Sequence, residues 1–189
     1  MKTNYLFIVV CMSLLVSVVG CKSKQSITKA LKEEEVTIPF KDFKTDKNYF
    51  RAVTSGYSPD MNVAKKIAIQ NAKSEIAGSI QSLFNQVTTD YIKQYGQNAT
   101  PDLSQKFEEM GQSIVSQVLS NLTLVDQKYF RSTTNNDIRC FVAMEMSKEE
   151  LGKTALSRIS QETKNRIDFD EYQYRKIFDK ALEEYRGEE

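Results

Sequence analysis

The sequence predicts an α+β fold: a three-stranded antiparallel sheet packed by helices, with a long inserted helical hairpin, in β-α-α-β-β-α order. Three observations carry this prediction. Residues 49–56, Tyr-Phe-Arg-Ala-Val-Thr-Ser-Gly, are aromatic and β-branched and close on a glycine, as a strand does. No proline falls between Pro59 and Pro101, and apolar residues recur there at spacings of mostly three and four. Two strand-like runs, 124–131 and 138–146, flank Ser132-Thr133-Thr134-Asn135-Asn136-Asp137, which is turn chemistry. Strands and helices segregated in this way belong to the α+β class.

The N-terminus reads Met1-Lys2-Thr3-Asn4, an apolar run from Tyr5 to Val16, then Ser17-Val18-Val19-Gly20-Cys21. A basic start, an apolar stretch and small residues form the layout of a secretory signal peptide. Val18-Val19-Gly20-Cys21 resembles the lipobox of bacterial lipoproteins, where a peptidase cuts before the cysteine and its sulfur carries lipid. The resemblance implies a signal peptide over residues 1–20 and lipidation of Cys21. Two acyl chains on one residue anchor a protein stably where one is marginal. Removal of residues 1–20 takes away one lysine and no acid, leaving 25 basic and 25 acidic residues. Residues 21–45 are then a lipidated tether and lead-in, and residues 46–189 a single α+β domain. Lys22-Ser23-Lys24-Gln25-Ser26 has no hydrophobic period and suits a spacer.

Ser58-Pro59-Asp60 is a helix start, with Ser58 as the cap and Pro59 in the first turn. Val63, Ile67, Ile76, Ile80, Leu83, Phe84, Val87, Tyr91 and Tyr95 form the apolar series, while Ala64, Ala68 and Ala72 form a small-residue stripe suited to close approach to a sheet. Gly78 marks a possible bend and Gly96 a stop. Pro101 opens a second helix, with Leu103, Phe107, Met110, Ile114, Val118 and Leu122 in period. After the strand hairpin, Ser147-Lys148-Glu149-Glu150 is a capping box, and its helix carries Leu151, Ala155, Leu156 and Ile159. Asp168-Phe169-Asp170-Glu171 repeats the signal ahead of Tyr172, Tyr174, Phe178, Ala181, Leu182 and Tyr185.

These features together resemble the LPP-twenty family of bacterial outer-membrane lipoproteins. The resemblance lies in the strand ending Ser55-Gly56, the helix with Ala64, Ala68, Ala72 and Ala77, the strand running from Phe141 into Ser147-Lys148-Glu149-Glu150-Leu151, and the lipobox at Cys21. It covers about residues 46–151, from which this chain departs by the helical hairpin inserted between about Gln81 and Asn121. The resemblance implies a small α+β module without established enzymatic activity, and supplies no catalytic residues.

Composition narrows the chemistry further. The chain has 189 residues and no histidine, which excludes imidazole triads, Cys-His dyads and His-ligated zinc. A formal charge of +1 gives no field for gripping nucleic acid. The seven glycines never cluster into a phosphate loop, and the acid pairs Glu108-Glu109, Glu149-Glu150 and Glu183-Glu184 point apart on helices toward water. Ser74, Ser79 and Ser82 near Lys73 lack a nucleophile elbow. No catalytic residue, metal or cofactor is expected. Cys140 lies in an apolar strand and reads as a small buried hydrophobe. The aromatics near the C-terminus, Phe169, Tyr172, Tyr174, Phe178 and Tyr185, read as packing onto the sheet.

The first helix is too long for a small sheet, so its far half must project from about Leu83 to Tyr95. Phe84, Val87, Tyr91 and Tyr95 need cover there, which Leu103, Phe107 and Met110 supply on one side. Two outcomes stay open: the two helices cover each other, or this tip is an interaction surface for a second copy or an envelope protein. The functional expectation is a non-catalytic, lipid-anchored module of the outer membrane, facing the periplasm and binding a protein or the cell wall. The alternative is a ligand-binding or hydrolytic lipoprotein with a cleft between the helical hairpin and the sheet.

Overall fold

The computed structural model describes residues 37–95, 101–163 and 170–185, with Cys21 and the N-terminal segment outside them. The elements are β1 (Tyr49–Ser58), α1 (Met61–Tyr95), α2 (Pro101–Val118) ending in a 3₁₀ turn (Leu119–Asn121), β2 (Thr123–Arg131), β3 (Ile138–Ser147), α3 (Lys148–Thr163) and α4 (Glu171–Glu184). The three-stranded antiparallel sheet and the α+β class are as the sequence predicts. The order is β-α-α-β-β-α-α, because the C-terminal helical stretch is two helices.

Strand order is β1-β3-β2, so the last strand lies in the middle and pairs antiparallel with both others. The sequence of β3 explains its position. Ile138, Cys140, Val142, Met144 and Met146 alternate along it, and all are buried on one face. Burial pushes the Cys140 thiol above its ordinary range, in keeping with a packing role. β2 carries a bulge at Val125, where its register against β3 shifts. In the β2–β3 turn, Asn136 takes a positive φ of 60°, a conformation that asparagine tolerates well.

α1 begins two residues later than predicted, since β1 continues to Ser58. Asp60 is its cap: Oδ1 accepts from the amides of Asn62 at 2.7 Å and Val63 at 3.0 Å. Ser58 instead accepts from the Asp60 amide through Oγ. Ala64, Ala68 and Ala72 are fully buried toward the sheet. The approach is very close. A Cβ placed on Gly56 would lie 2.1 Å from the Ala64 carbonyl oxygen and 2.5 Å from the Ala68 nitrogen. Thr54 Oγ1 donates to the Ala68 carbonyl at 2.7 Å, and Asn71 Nδ2 to the Ser55 carbonyl at 2.9 Å. Val63 and Ile67, expected in the apolar series, are instead 45% and 39% exposed. One residue is a rotation of about 100° on a helix, so the alanine stripe and this pair cannot both face the sheet. The tight contact admits only the smaller side chains. Gly78 lies exposed within the unbroken helix, and a Cβ there would meet nothing within 4 Å.

The far half of α1 is covered by two helices, α2 and α4, rather than one. α1 packs on α2, α2 on α3, α3 on α4, and α4 back on α1. These contacts close a ring of four helices beside the sheet, and one hydrophobic core runs through both. Asp170 caps α4, its Oδ1 accepting from the Gln173 amide at 3.1 Å, while the predicted capping residue Asp168 lies outside the described residues. Ser147 accepts from the Glu150 amide at 3.4 Å, as half of the predicted capping box.

Lys148 ties the layers together. It is almost wholly buried, and its Nζ donates to the carbonyls of Leu182 and Tyr185 at the C-terminal end of α4, where a helix favours positive charge. The charge lies about 5 Å from the Phe50 and Tyr185 rings. Its backbone amide donates to Asn48 at the start of β1.

Two glycines separate the packing constraint from helix propensity. Gly56→Ala should destabilise by about 1–3 kcal/mol through overpacking, whereas Gly78→Ala should stabilise by about 0.5–1 kcal/mol. Ala68→Leu should likewise cost more than Lys65→Leu. Urea melts of the four variants check both orders.

Candidate functional site

The structure places three of the four residues expected at the helical tip inside the core. Phe84, Val87 and Tyr91 are buried, so they present no surface, and only Tyr95 stays exposed, at 45%. The cause is α4. The Phe84 and Phe178 rings lie 5.3 Å apart, and Tyr174 stacks on Phe107 at 4.8 Å with an interplanar angle of 7°. Tyr91 meets Phe107 and Tyr174 edge-on. The Tyr91 hydroxyl accepts from the Asp170 amide at 2.8 Å, and the Tyr95 hydroxyl donates to Gln173 Oε1 at 3.0 Å. The aromatic side chains of α4 therefore pack against the far half of the helical hairpin. Of the aromatics read as packing onto the sheet, Tyr185 does so, 5.1 Å from Phe50 of β1, whereas Tyr174 and Phe178 pack on α1 and α2 instead, Tyr172 points to solvent, and Phe169 lies outside the described residues.

Burial pushes the Tyr174 hydroxyl up to about 12, with the Thr88 hydroxyl 3.5 Å away. The unfolded chain would ionise this phenol near 10. Its neutral form therefore stabilises the fold fully below about pH 10, and that contribution is lost as pH rises toward 12.

The outer face of the sheet, opposite the helices, is a second surface, built by strand alternation. Tyr57, Arg139 and Phe130 form one row across β1, β3 and β2; Ser55, Phe141 and Lys128 form the next; Val53, Ala143 and Asp126 the third; and Arg51, Glu145 and Thr123 the fourth. Ala143 is only 1% exposed on this face. The lead-in turn lies on the same face, its Phe43 amide donating to the Phe40 carbonyl at 2.8 Å. The Phe40 ring sits 5.0 Å from Lys128 Nζ, and the Phe43 ring 4.8 Å from the Arg51 guanidinium, so the turn reaches both edge strands. Phe40 has a φ of 61°, an uncommon state for a bulky residue that its surroundings must hold.

Below that turn, Arg51 bridges Asp46 at 2.7 Å and Glu145 at 3.0 Å. Burial works against ionisation of Asp46. The amides of Asn48 and Tyr49 and the Arg51 guanidinium outweigh it and hold the carboxyl below its ordinary range. Thr45 accepts from the Arg51 amide at 2.9 Å, which satisfies part of the β1 edge. At the other end, the Tyr57 hydroxyl donates to Asp137, whose carboxylate pushes that phenol up, and Asn135 Nδ2 donates to both. Between the lead-in turn and this cluster, Tyr57 and Phe130 are exposed, and Phe130 meets Phe141 edge-on at 5.6 Å.

Sequence reasoning missed this face. Its one legible signal is the pair of aromatics in the lead-in, Phe40 and Phe43, which a bare spacer does not need. Among the described residues, no group of three or more Asp, Glu or Cys is placed to hold a metal ion, and no helix is long and apolar enough to cross a membrane. No model of a known protein family, no curated protein and no solved structure matches the chain. The similarity to the LPP-twenty family rests on the motifs quoted above alone.

Two measurements check this account of the tip. Phe84→Ser should cost at least about 3–5 kcal/mol, as large-to-small changes at buried aromatics do, and Tyr95→Ser should cost less than about 1 kcal/mol. Between pH 9 and 11.5 the wild type should lose about 2 kcal/mol more stability than Tyr174→Phe, read by urea melts at both values.

Proposed function

We propose that the chain is a lipid-anchored lipoprotein of the bacterial cell envelope, acylated on Cys21 and held at the outer membrane with its domain in the periplasm. There it acts as a non-catalytic module that binds an envelope protein or the cell wall. The observation that carries the reading is Val18-Val19-Gly20-Cys21 after a basic start and an apolar run. The cysteine inventory supports it. Cys11 falls within the leader, and Cys140 is fully buried with its thiol pushed up, so it is poorly suited to react. Cys21 is the remaining thiol. Similarity to the LPP-twenty family accords with the same anchor and with an α+β module behind it.

Replacement of Cys21 tests the reading directly. Wild-type chain expressed in bacteria should incorporate radioactive palmitate and sediment with membranes. Cys21→Ala should incorporate less than about a tenth of the label and appear in the soluble fraction. A variant that still labels and still sediments would show that acylation lies elsewhere.

A further inference from the structure

We propose that the free edge of β2 pairs with the same edge of a second copy of this chain, antiparallel about a twofold axis at Tyr129, so that two three-stranded sheets join into one.

The two edges of the sheet are treated differently. On β1 the outward backbone groups are engaged. Thr45 accepts from the Arg51 amide, the Tyr49 carbonyl accepts from the Asp46 amide, and the Ser55 carbonyl accepts from Asn71 Nδ2. β2 has no such guard. The Ser132 amide donates to the Asp137 carbonyl, so the next bonded pairs along the hairpin are Phe130 with Arg139 and Lys128 with Phe141. Gln127, Tyr129 and Arg131, which alternate with them, turn their amides and carbonyls outward. Of these groups the Gln127 amide alone has a partner among the described residues, Asp126 Oδ1 at 2.7 Å. α1 lies over β1 and β3, and β2 packs chiefly on β3. A row of unpaired strand groups takes an extended strand as its partner.

The sequence of β2 makes that partner a second copy, because the strand is complementary to itself in one register. Its regular part lies between the bulge at Val125 and the turn at Ser132 and is centred on Tyr129. A twofold axis there sets Tyr129 against Tyr129, Lys128 against Phe130 and Gln127 against Arg131. Outward groups meet outward groups, and no like charges are opposed. Lys128 then lies between Phe40 of its own chain and Phe130 of the second copy. Tyr129 and Phe130, exposed in one copy, gain cover in two. An axis at Lys128 opposes two lysines, and one at Gln127 brings Tyr129 onto the bulge. The helices leave room for this pairing. α1 starts past the Ser58 end of β1, lies on Thr54 and Ser55, and overruns the sheet at the Tyr49 end. Antiparallel copies therefore send their helical rings off opposite ends.

Cysteine cross-linking tests the pairing on the full chain expressed in bacteria, read on non-reducing gels after oxidation of intact cells. The wild type, with Cys21 and the buried Cys140, sets the background. Opposed residues of a bonded antiparallel pair lie about 5.5 Å apart at Cα, within reach of a disulfide. Tyr129→Cys should link at least about half of the chain into dimers above that background, while Arg131→Cys on β2 and Lys153→Cys on α3 should each link less than about a tenth. Co-expressed Arg131→Cys and Gln127→Cys chains should link to each other, since these positions stand opposite across the axis. A Tyr129→Cys chain that forms no dimer above background overturns the pairing, as do equal yields at all three positions, which report random collision. Linking of Tyr129→Cys to a different protein overturns it in favour of a foreign strand. Stronger self-linking of Lys128→Cys than of Tyr129→Cys overturns the register.

Discussion

The contact between Gly56 and the first half of α1 sets the rest of the structure. Backbone meets backbone there, at a separation that leaves no room for a methyl group on the strand. Thr54 and Asn71 fix the helix to β1 with side-chain hydrogen bonds on either side of that point. Once the axis of α1 is fixed there, its length does the rest. Thirty-five residues at 1.5 Å each run about 52 Å, and a strand of ten residues covers only about 33 Å. The remainder must be buried by something other than sheet, and α2 and α4 supply that cover, with α3 closing the ring between them.

The aromatic residues divide along the same line. Those of the ring pack edge-on and stacked around Tyr91, Phe107 and Tyr174, where each polar hydroxyl of the two tyrosines meets a partner inside the protein. Those of the sheet's outer side meet cations and water instead, as Phe40, Phe43 and Phe130 do. Abundant aromatics in this sequence therefore serve two ends. The helical set supplies bulk for a core that lacks tryptophan, and the outer set gives the sheet an amphipathic surface.

How much of this was legible in the sequence differs by element. The strands and α1 were, because alternation in β3 and the three-and-four spacing of α1 each match one period only. The alanine stripe told which side of α1 meets the sheet, and it outweighed Val63 and Ile67 because a glycine-floored contact selects for size rather than hydrophobicity. The fate of the tip was not legible. Phe84 and Tyr91 have the same spacing whether covered by one helix or two, and the second cover comes from α4, about 90 residues away. The outer face was hidden for a related reason. Lys128 and Phe130 alternate with Tyr129 in an exposed edge strand whose bulge at Val125 interrupts the period, and the lead-in turn that crowns it is a tertiary feature.

Strand order carries a consequence for how the chain assembles. β2 and β3 are neighbours in sequence and meet through a short turn, so their pairing is local and fast to form. β1 is the first strand made, yet its partner is the last, with about 80 residues between Ser58 and Ile138. Closing a flexible loop of that length costs roughly 4 kcal/mol by the logarithmic chain-entropy term. The two helices between them shorten the path, since a helical hairpin returns the chain close to where it left. The sheet is therefore completed late, by the strand that was synthesised first, and until then the apolar side of β1 has only the early turns of α1 for shelter.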